Sequence, residues 1–150
     1  MFVRSGDELR TVEADLELPG WTDGELAAAV ERLAPKLASG GIALGALEGE
    51  RLLGVAVLGG EWIGPRADQL ELAFLYVDAA RRGAGIASAL LDEIGRRARA
   101  RGAAALYVSA SDTESSIRFY LGRGWRPAAW VDAALAATYE PTDIALTLGL

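Results

Sequence analysis

The sequence predicts an α/β fold, a sheet of mixed direction with helices on both faces. Three observations carry this expectation. Two pairs of apolar runs read as hairpins at the start, over 2–18 and 42–58. Strand-like and helix-like segments then alternate from Leu70 to Gly124, and two more strand-like runs follow. Between them, the stretch Leu70–Leu91 feeds an apolar run through a glycine-rich turn straight into a helical repeat.

The chain has 150 residues, enough for one domain with a full core, and 1–150 reads as a single unit. Hydrophobic residues make up 51%, yet no run approaches the roughly 18 apolar residues of a membrane span. The start, MFVRSGDELR, has no apolar core of a secretory signal, so a cytoplasmic protein is expected. There is no cysteine and no histidine. This excludes disulfides, thiolate metal sites, a cysteine nucleophile and the usual neutral-pH base, and no metal is expected. Chemistry must come from Glu, Asp, Tyr, Ser, Lys or backbone groups. The net charge of −6 argues against nucleic acid as a partner. Lysine occurs once, as Lys36, so fourteen of the fifteen basic residues are arginine.

Phe2-Val3-Arg4 and Leu9–Leu18 flank a turn at Ser5–Glu8, a first hairpin that Pro19-Gly20 ends. Thr22-Asp23-Gly24-Glu25 is a capping box opening a helix with Leu26, Val30, Leu33 and Leu37 on one face. Pro35 should kink or shorten that helix, and Gly40-Gly41 closes it. Ile42–Leu47 and Leu52–Leu58 are expected as an antiparallel pair buried on both faces, with Glu61–Arg66 as a connection. Leu72–Val77 is the next strand. A helix follows with Ile86, Leu90, Ile94 and Ala98 in register, ending near Arg101 before Gly102. Ala105–Ala110 is a strand. Ser111-Asp112-Thr113-Glu114 is a second capping box, and its helix, bearing Ile117, Tyr120 and Leu121, stops at Gly124. Trp125 opens a strand region, Val131–Tyr139 is ambiguous, and Ile144–Leu148 is the last strand.

The turn Arg81-Arg82-Gly83-Ala84-Gly85 suits an anion. Amides in the first turn of a helix lack partners and carry partial positive charge. Gly83 and Gly85 remove side chains that would hold a ligand away from them. A P-loop would need Gly-Lys-Ser/Thr, and Lys36 is far away. A dinucleotide fingerprint from Gly83 would need Gly or Ala at Ser88 and an acid about twenty residues on, where Gly102–Ala105 stands. A bare turn that binds nothing is the remaining alternative to Arg-x-x-Gly-x-Ala, formed by Arg82, Gly85 and Ala87.

That last pattern is the pyrophosphate signature of the GCN5-related N-acetyltransferases, and the chain resembles this family from about Gly41 to the C-terminus. The pair Ile42–Leu58, the block Leu72–Leu91 and the block Leu106–Trp125 carry the likeness. The last block ends Phe119-Tyr120-Leu121-Gly122-Arg123-Gly124-Trp125, close to the family's Phe-Tyr-x-x-x-Gly-Phe, and lies about 35 residues after the loop. The first 40 residues match weakly.

The resemblance implies a mostly antiparallel sheet with a splay at the cofactor strand, and acetyl-CoA as co-substrate. Pyrophosphate would lie on Arg82, Gly83, Ala84, Gly85, Ile86 and Ala87. Pantetheine would run along Leu75, Tyr76 and Val77. The family often has Asn where this chain has Thr113, and Ser116 replaces a common Ala; either hydroxyl could reach the cofactor instead. It also implies direct acetyl transfer to the primary amine of a small molecule, with a protein N-terminus or a non-catalytic acyl-CoA sensor as alternatives.

For chemistry, the resemblance points to Glu71 as base and Tyr120 as the acid that protonates the leaving thiolate. Each has a bland alternative: a solvated strand-end carboxylate like Glu61 or Asp68, and core packing beside Ile117 and Leu121. Glu140 and Asp143 would hold an acceptor ammonium, or form only a polar turn around Pro141. Trp21, Trp62 and Trp130 could line an acceptor pocket or fill gaps. No nucleic acid or membrane partner is expected, and a homodimer stays open.

Overall fold

The computed structural model describes residues 2–5, 8–11 and 23–150. Among these residues, eight strands and four α-helices follow one another: β1 Phe2–Ser5, β2 Glu8–Thr11, α1 Asp23–Ala38, β3 Ile42–Glu48, β4 Arg51–Ile63, β5 Gln69–Val77, α2 Ile86–Ala100, β6 Ala105–Ala110, α3 Glu114–Leu121, β7 Arg126–Pro127, α4 Ala133–Thr138 and β8 Ile144–Gly149. Strands β3 to β8 form a six-stranded sheet in the order β3-β4-β5-β6-β8-β7. The pairings β3/β4, β4/β5 and β7/β8 are antiparallel. The described residues fall into two compact units, one within Trp21–Leu106 plus Leu150, the other within Met1–Gly20 plus Tyr107–Gly149.

In the first unit, β4 and β5 supply the core through Ala56, Val57, Leu58, Leu70 and Leu72, and α2 adds Leu90, Leu91, Ile94 and Ala98. The four-residue repeat expected of α2 is therefore its buried stripe, with Ile86 half-buried at the start. Gly54 lets the helix close on the sheet, because a Cβ there would stand 3.1 Å from both Ile86 Cγ2 and Leu90 Cδ1. Gly102, with φ at +90°, follows the end of α2 as expected.

Four expectations need correction in this unit. Strand β3 is not buried on both faces: its residues alternate between half-buried and exposed, as befits an edge strand with β4 as its one neighbour. The stretch Glu61-Trp62-Ile63 is the end of β4 rather than a connection. Pro35 does not shorten α1, which continues to Ala38, and its carbonyl accepts from Ser39 N at 3.0 Å. The inward stripe of α1 is also turned by one residue. Ala29 is buried and Leu33 and Lys36 half-buried, whereas Val30 is 67% exposed. The capping box at Thr22 and Glu25 and the leucine at 26 lie outside the side chains described.

In the second unit, β1 and β2 pair as the expected hairpin from Phe2↔Thr11 to Ser5↔Glu8; its expected continuation to Leu18 lies outside the described residues. Strand β6 has the bounds read from the sequence. Helix α3 begins later than the capping box suggested. Thr113, still extended at φ −64° and ψ 145°, is the N-cap, and its Oγ1 accepts from Ser116 N at 3.3 Å. The helix ends at Leu121, and Gly124 takes φ +85° in the turn that follows. Trp125 is buried but precedes a strand of only two residues. The ambiguous segment contains α4, whose cap Asp132 accepts from the amides of Ala134 and Leu135, each at 3.0 Å.

Candidate active site

The glycine turn is built by backbone geometry. Strand β5 ends at Val77, and Asp78 starts a 3-10 turn over Ala79–Arg81, its carboxylate accepting from Ala80 N at 3.0 Å. That amide, and then the Arg51 guanidinium at 2.7 Å, hold the Asp78 carboxyl below the usual carboxylate range. Arg81 pairs with Glu48. Both strands of the β3–β4 hairpin are thus tied to the turn at the hairpin's tip. Such exposed pairs contribute little stability each but restrict the turn's position. Arg81 is committed to Glu48, whereas Arg82 is exposed and makes no ion pair among the described residues.

Gly83 and Gly85 both adopt left-handed backbone, at φ +84° and +82°. A Cβ on either would meet no atom within 4 Å, so the requirement for glycine is conformational and the space outside is open. Gly85 is the N-cap of α2 and offers no side-chain cap. The amides of Arg82 and Ala84 donate within the turn, to Ala79 O at 3.4 Å and Arg81 O at 3.3 Å. The uncapped first-turn amides at Ile86 and Ala87 form the positive end of a fifteen-residue helix. Such a helix start is chemically suited to an anion. Upstream, Leu75, Tyr76 and Val77 pair with Ala56, Val55 and Gly54 of β4. An apolar hollow of about 270 Å³ opens between β3 and α2, lined by Leu44, Gly45, Ala46, Ile86, Ala89, Leu90 and Glu93.

Glu71 is not a solvated strand-end acid like Glu61 or Asp68. It lies inside β5, only 4% exposed, and its Oε2 accepts from Lys36 Nζ of α1. The bulge that accommodates it is visible in the register. Leu58 pairs with Leu72 and Trp62 with Leu70, so Gly59, Gly60 and Glu61 of β4 stand opposite Glu71 alone. The sequence reading missed Lys36 and this bulge. The Gly59-Gly60 doublet inside a strand was the available signal.

In the second unit, Tyr120 is buried, at 6% exposure, and edge-on to Phe119 and Trp125, each with ring centroids 5.2 Å away. Leu121, expected on the same face, is exposed. Burial raises the Tyr120 phenol well above its usual value, so it stays protonated at neutral pH. Its hydroxyl makes no hydrogen bond among the described residues. Thr113 uses its Oγ1 as a helix cap, with Ser116 in the first turn beyond it. Glu140 and Asp143 share a turn in which Asp143 N donates to Glu140 O at 3.0 Å. Trp130 stacks on Tyr107 at 5.0 Å, Trp62 is exposed on β4, and Trp21 lies outside the described residues. Among the described residues, no helix is long and apolar enough to cross a membrane, and no cluster of His, Cys, Asp and Glu could hold a metal ion.

Comparison with known proteins bears on this arrangement directly. Curated proteins gave no match by sequence. Solved structures match in fold. An IAA acetyltransferase from Bacillus cereus superimposes with a TM-score of 0.62 at 21% identity, over 80% of this chain and 84% of its own. An aminoglycoside 6'-N-acetyltransferase complexed with coenzyme A gives 0.61 at 18% identity, over 86% and 81%. A ribosomal-protein-alanine N-acetyltransferase from Brucella melitensis gives 0.60 at 21% identity, over 83% and 78%. The acetyltransferase (GNAT) family matches residues 7–125. That span starts well before Gly41 and takes in both the glycine turn and the Phe-Tyr helix. The chain belongs to the acetyltransferase (GNAT) family.

Proposed function

We propose that the protein is an acetyl-CoA-dependent N-acetyltransferase that passes acetyl directly to a primary amine of a small molecule. The observation that carries this reading is the uncapped start of α2 behind two left-handed glycines with open space outside them. Arg82, in no ion pair among the described residues, adds a guanidinium beside it, and β5 leads into it. In this reading the pyrophosphate lies on the first-turn amides of α2, and the pantetheine arm follows Leu75–Val77. Thr113 or Ser116 donates a hydroxyl to the cofactor.

Glu71 takes a proton from the acceptor ammonium, freeing the nitrogen lone pair to attack the thioester carbonyl. The C–S bond then breaks, the phenol of Tyr120 gives its proton to the departing thiolate, and the second proton shed by the acetylated nitrogen restores the phenol by way of solvent. A neutral, desolvated phenol suits that donor role. Glu140 and Asp143 hold the acceptor's positive charge. With no cysteine in the chain, a thioester-linked acetyl-enzyme has no residue to form on. We place the protein in the cytoplasm.

The test is an acceptor panel of small amines and peptides with free N-termini, reading CoA release by thiol detection against a protein with no thiol of its own. Release with a small amine supports the reading. Release with peptides alone moves the acceptor to a protein N-terminus. Acetyl-CoA binding without release with any acceptor makes the protein a sensor and overturns it.

A further inference from the structure

The chain's one lysine stands at the one deeply buried carboxylate among the described residues. Among the described residues, Glu71 is the only charged side chain in the core, and Lys36, with 17% of its side chain exposed, meets Glu71 Oε2 across 35 residues of sequence. Burying a charge requires a partner, yet an ion pair in such a place adds little net stability over an apolar pair of similar size. The surrounding backbone is nonetheless shaped to make the contact. A Cβ on Gly41 would stand 2.4 Å from Lys36 O and 2.7 Å from Leu58 O. One on Gly60 would stand 2.3 Å from Ser39 O and 2.6 Å from Gly41 N. One on Gly59 would reach Glu71 Oε2 at 3.6 Å. The glycines of the β4 bulge and of the α1 exit therefore allow the end of α1 to touch the sheet backbone where Glu71 stands.

The helix end is fixed as well. Lys36 O accepts from Gly41 N at 3.1 Å and from Ser39 Oγ at 2.9 Å, and Arg101 holds Gly40 O at 3.0 Å. Only a compact ammonium is needed at this point, whereas a planar guanidinium fork would require more room. The single departure from arginine in the chain falls here.

We infer that Lys36 is a positioning residue for the acetyl transfer, fixing the Glu71 carboxylate in the orientation from which it receives the acceptor's proton. This rests on the assignment of Glu71 as base. Lys36 touches neither acceptor nor cofactor in this role and acts wholly through Glu71.

A double-mutant cycle on the active full chain tests it. Lys36→Met should lower kcat at least about ten-fold while leaving the KM for acetyl-CoA within about two-fold. In a Glu71→Gln background the same substitution should change kcat by less than about two-fold, because the group it positions is gone. Should Lys36→Met fail to fold with an unpaired buried carboxylate, Lys36→Arg keeps the charge and carries the same cycle, with the same pattern expected. Equal losses in both backgrounds, or no loss in either, with Glu71→Gln itself impaired, would overturn the positioning role and leave Glu71 as base. A Glu71→Gln protein as active as wild type would overturn both.

Discussion

Gly85 offers the sharpest separation of backbone cost from ligand electrostatics. It sits at φ +82° and ψ 6° as the N-cap of α2, and a Cβ added there meets nothing within 4 Å. Gly85→Ala therefore carries only the penalty of an L-residue in left-handed backbone, about 1–2 kcal/mol. For a chain of this size that is a fall in Tm of about 2–8 °C. Gly85→Glu carries the same backbone penalty but places a carboxylate at the positive end of the helix. That should recover about 0.3–1 kcal/mol in the free protein, so Gly85→Glu should melt at or slightly above Gly85→Ala. Binding should go the other way. A unit charge about 4–5 Å from a phosphate oxygen repels it by roughly 4 kcal/mol at an effective dielectric of about 20. After screening at this exposed turn, roughly a 10²-fold weaker Kd remains for Gly85→Glu relative to Gly85→Ala. Titration calorimetry with acetyl-CoA, beside thermal melts of both variants, measures the two effects separately. Equal affinities for acetyl-CoA in the two variants would refute the assignment of the α2 N-terminus as the pyrophosphate seat.

Gly60→Ala drives a methyl group into backbone atoms 2.3 and 2.6 Å away, so it should cost at least the roughly 1–3 kcal/mol of an overpacked core. Denaturant melts should show this, with acetyl-CoA affinity retained and kcat reduced. Tyr120→Phe should leave neutral-pH stability nearly unchanged and lower kcat by roughly 10–10³ in steady-state assays. Its stability should also respond differently to alkali. The folded Tyr120 phenol holds its proton more tightly than the unfolded one, so that contribution is complete below the unfolded value of about 10 and is lost as pH rises beyond it. Wild type should therefore lose this part of its stability above about pH 10 and Tyr120→Phe should not, as urea titrations across that range would show. Asp78 has the opposite sign. Its folded value is depressed, so its contribution is present above the unfolded value of 3.8 and is lost as pH falls through the folded one. The Tm gap between wild type and Asp78→Asn should be constant from about pH 8 to about pH 5 and close below that.

What could be read from the sequence was local. The strand–turn–helix around Gly83 and Gly85, the stripe of α2 and the bounds of β6 each depend on neighbours a few residues apart, and each stands in the structure as expected. The edge position of β3 was not legible, because an apolar run does not record how many strands flank it. Nor was the cap of α3, where Ser111 and Thr113 present the same chemistry two residues apart and Thr113 is the one that caps. The environment of Glu71 was the least accessible. It depends on a bulge in one strand, a glycine pair at a helix exit and a lysine 35 residues away, none of which has a periodic signal. The turned stripe of α1 belongs with it: bringing Lys36 to Glu71 puts Ala29 inside and Val30 outside.

The measurement that tests direct N-acetyl transfer most closely pairs product analysis with the intact mass of the protein. The protein is incubated with acetyl-CoA alone and then with an amine that releases CoA. Direct transfer predicts an unchanged protein mass in both incubations and one N-acetylated amine for each CoA released. An acetylated protein that later passes its acetyl group to the amine, or CoA release without acetylated amine, would contradict it.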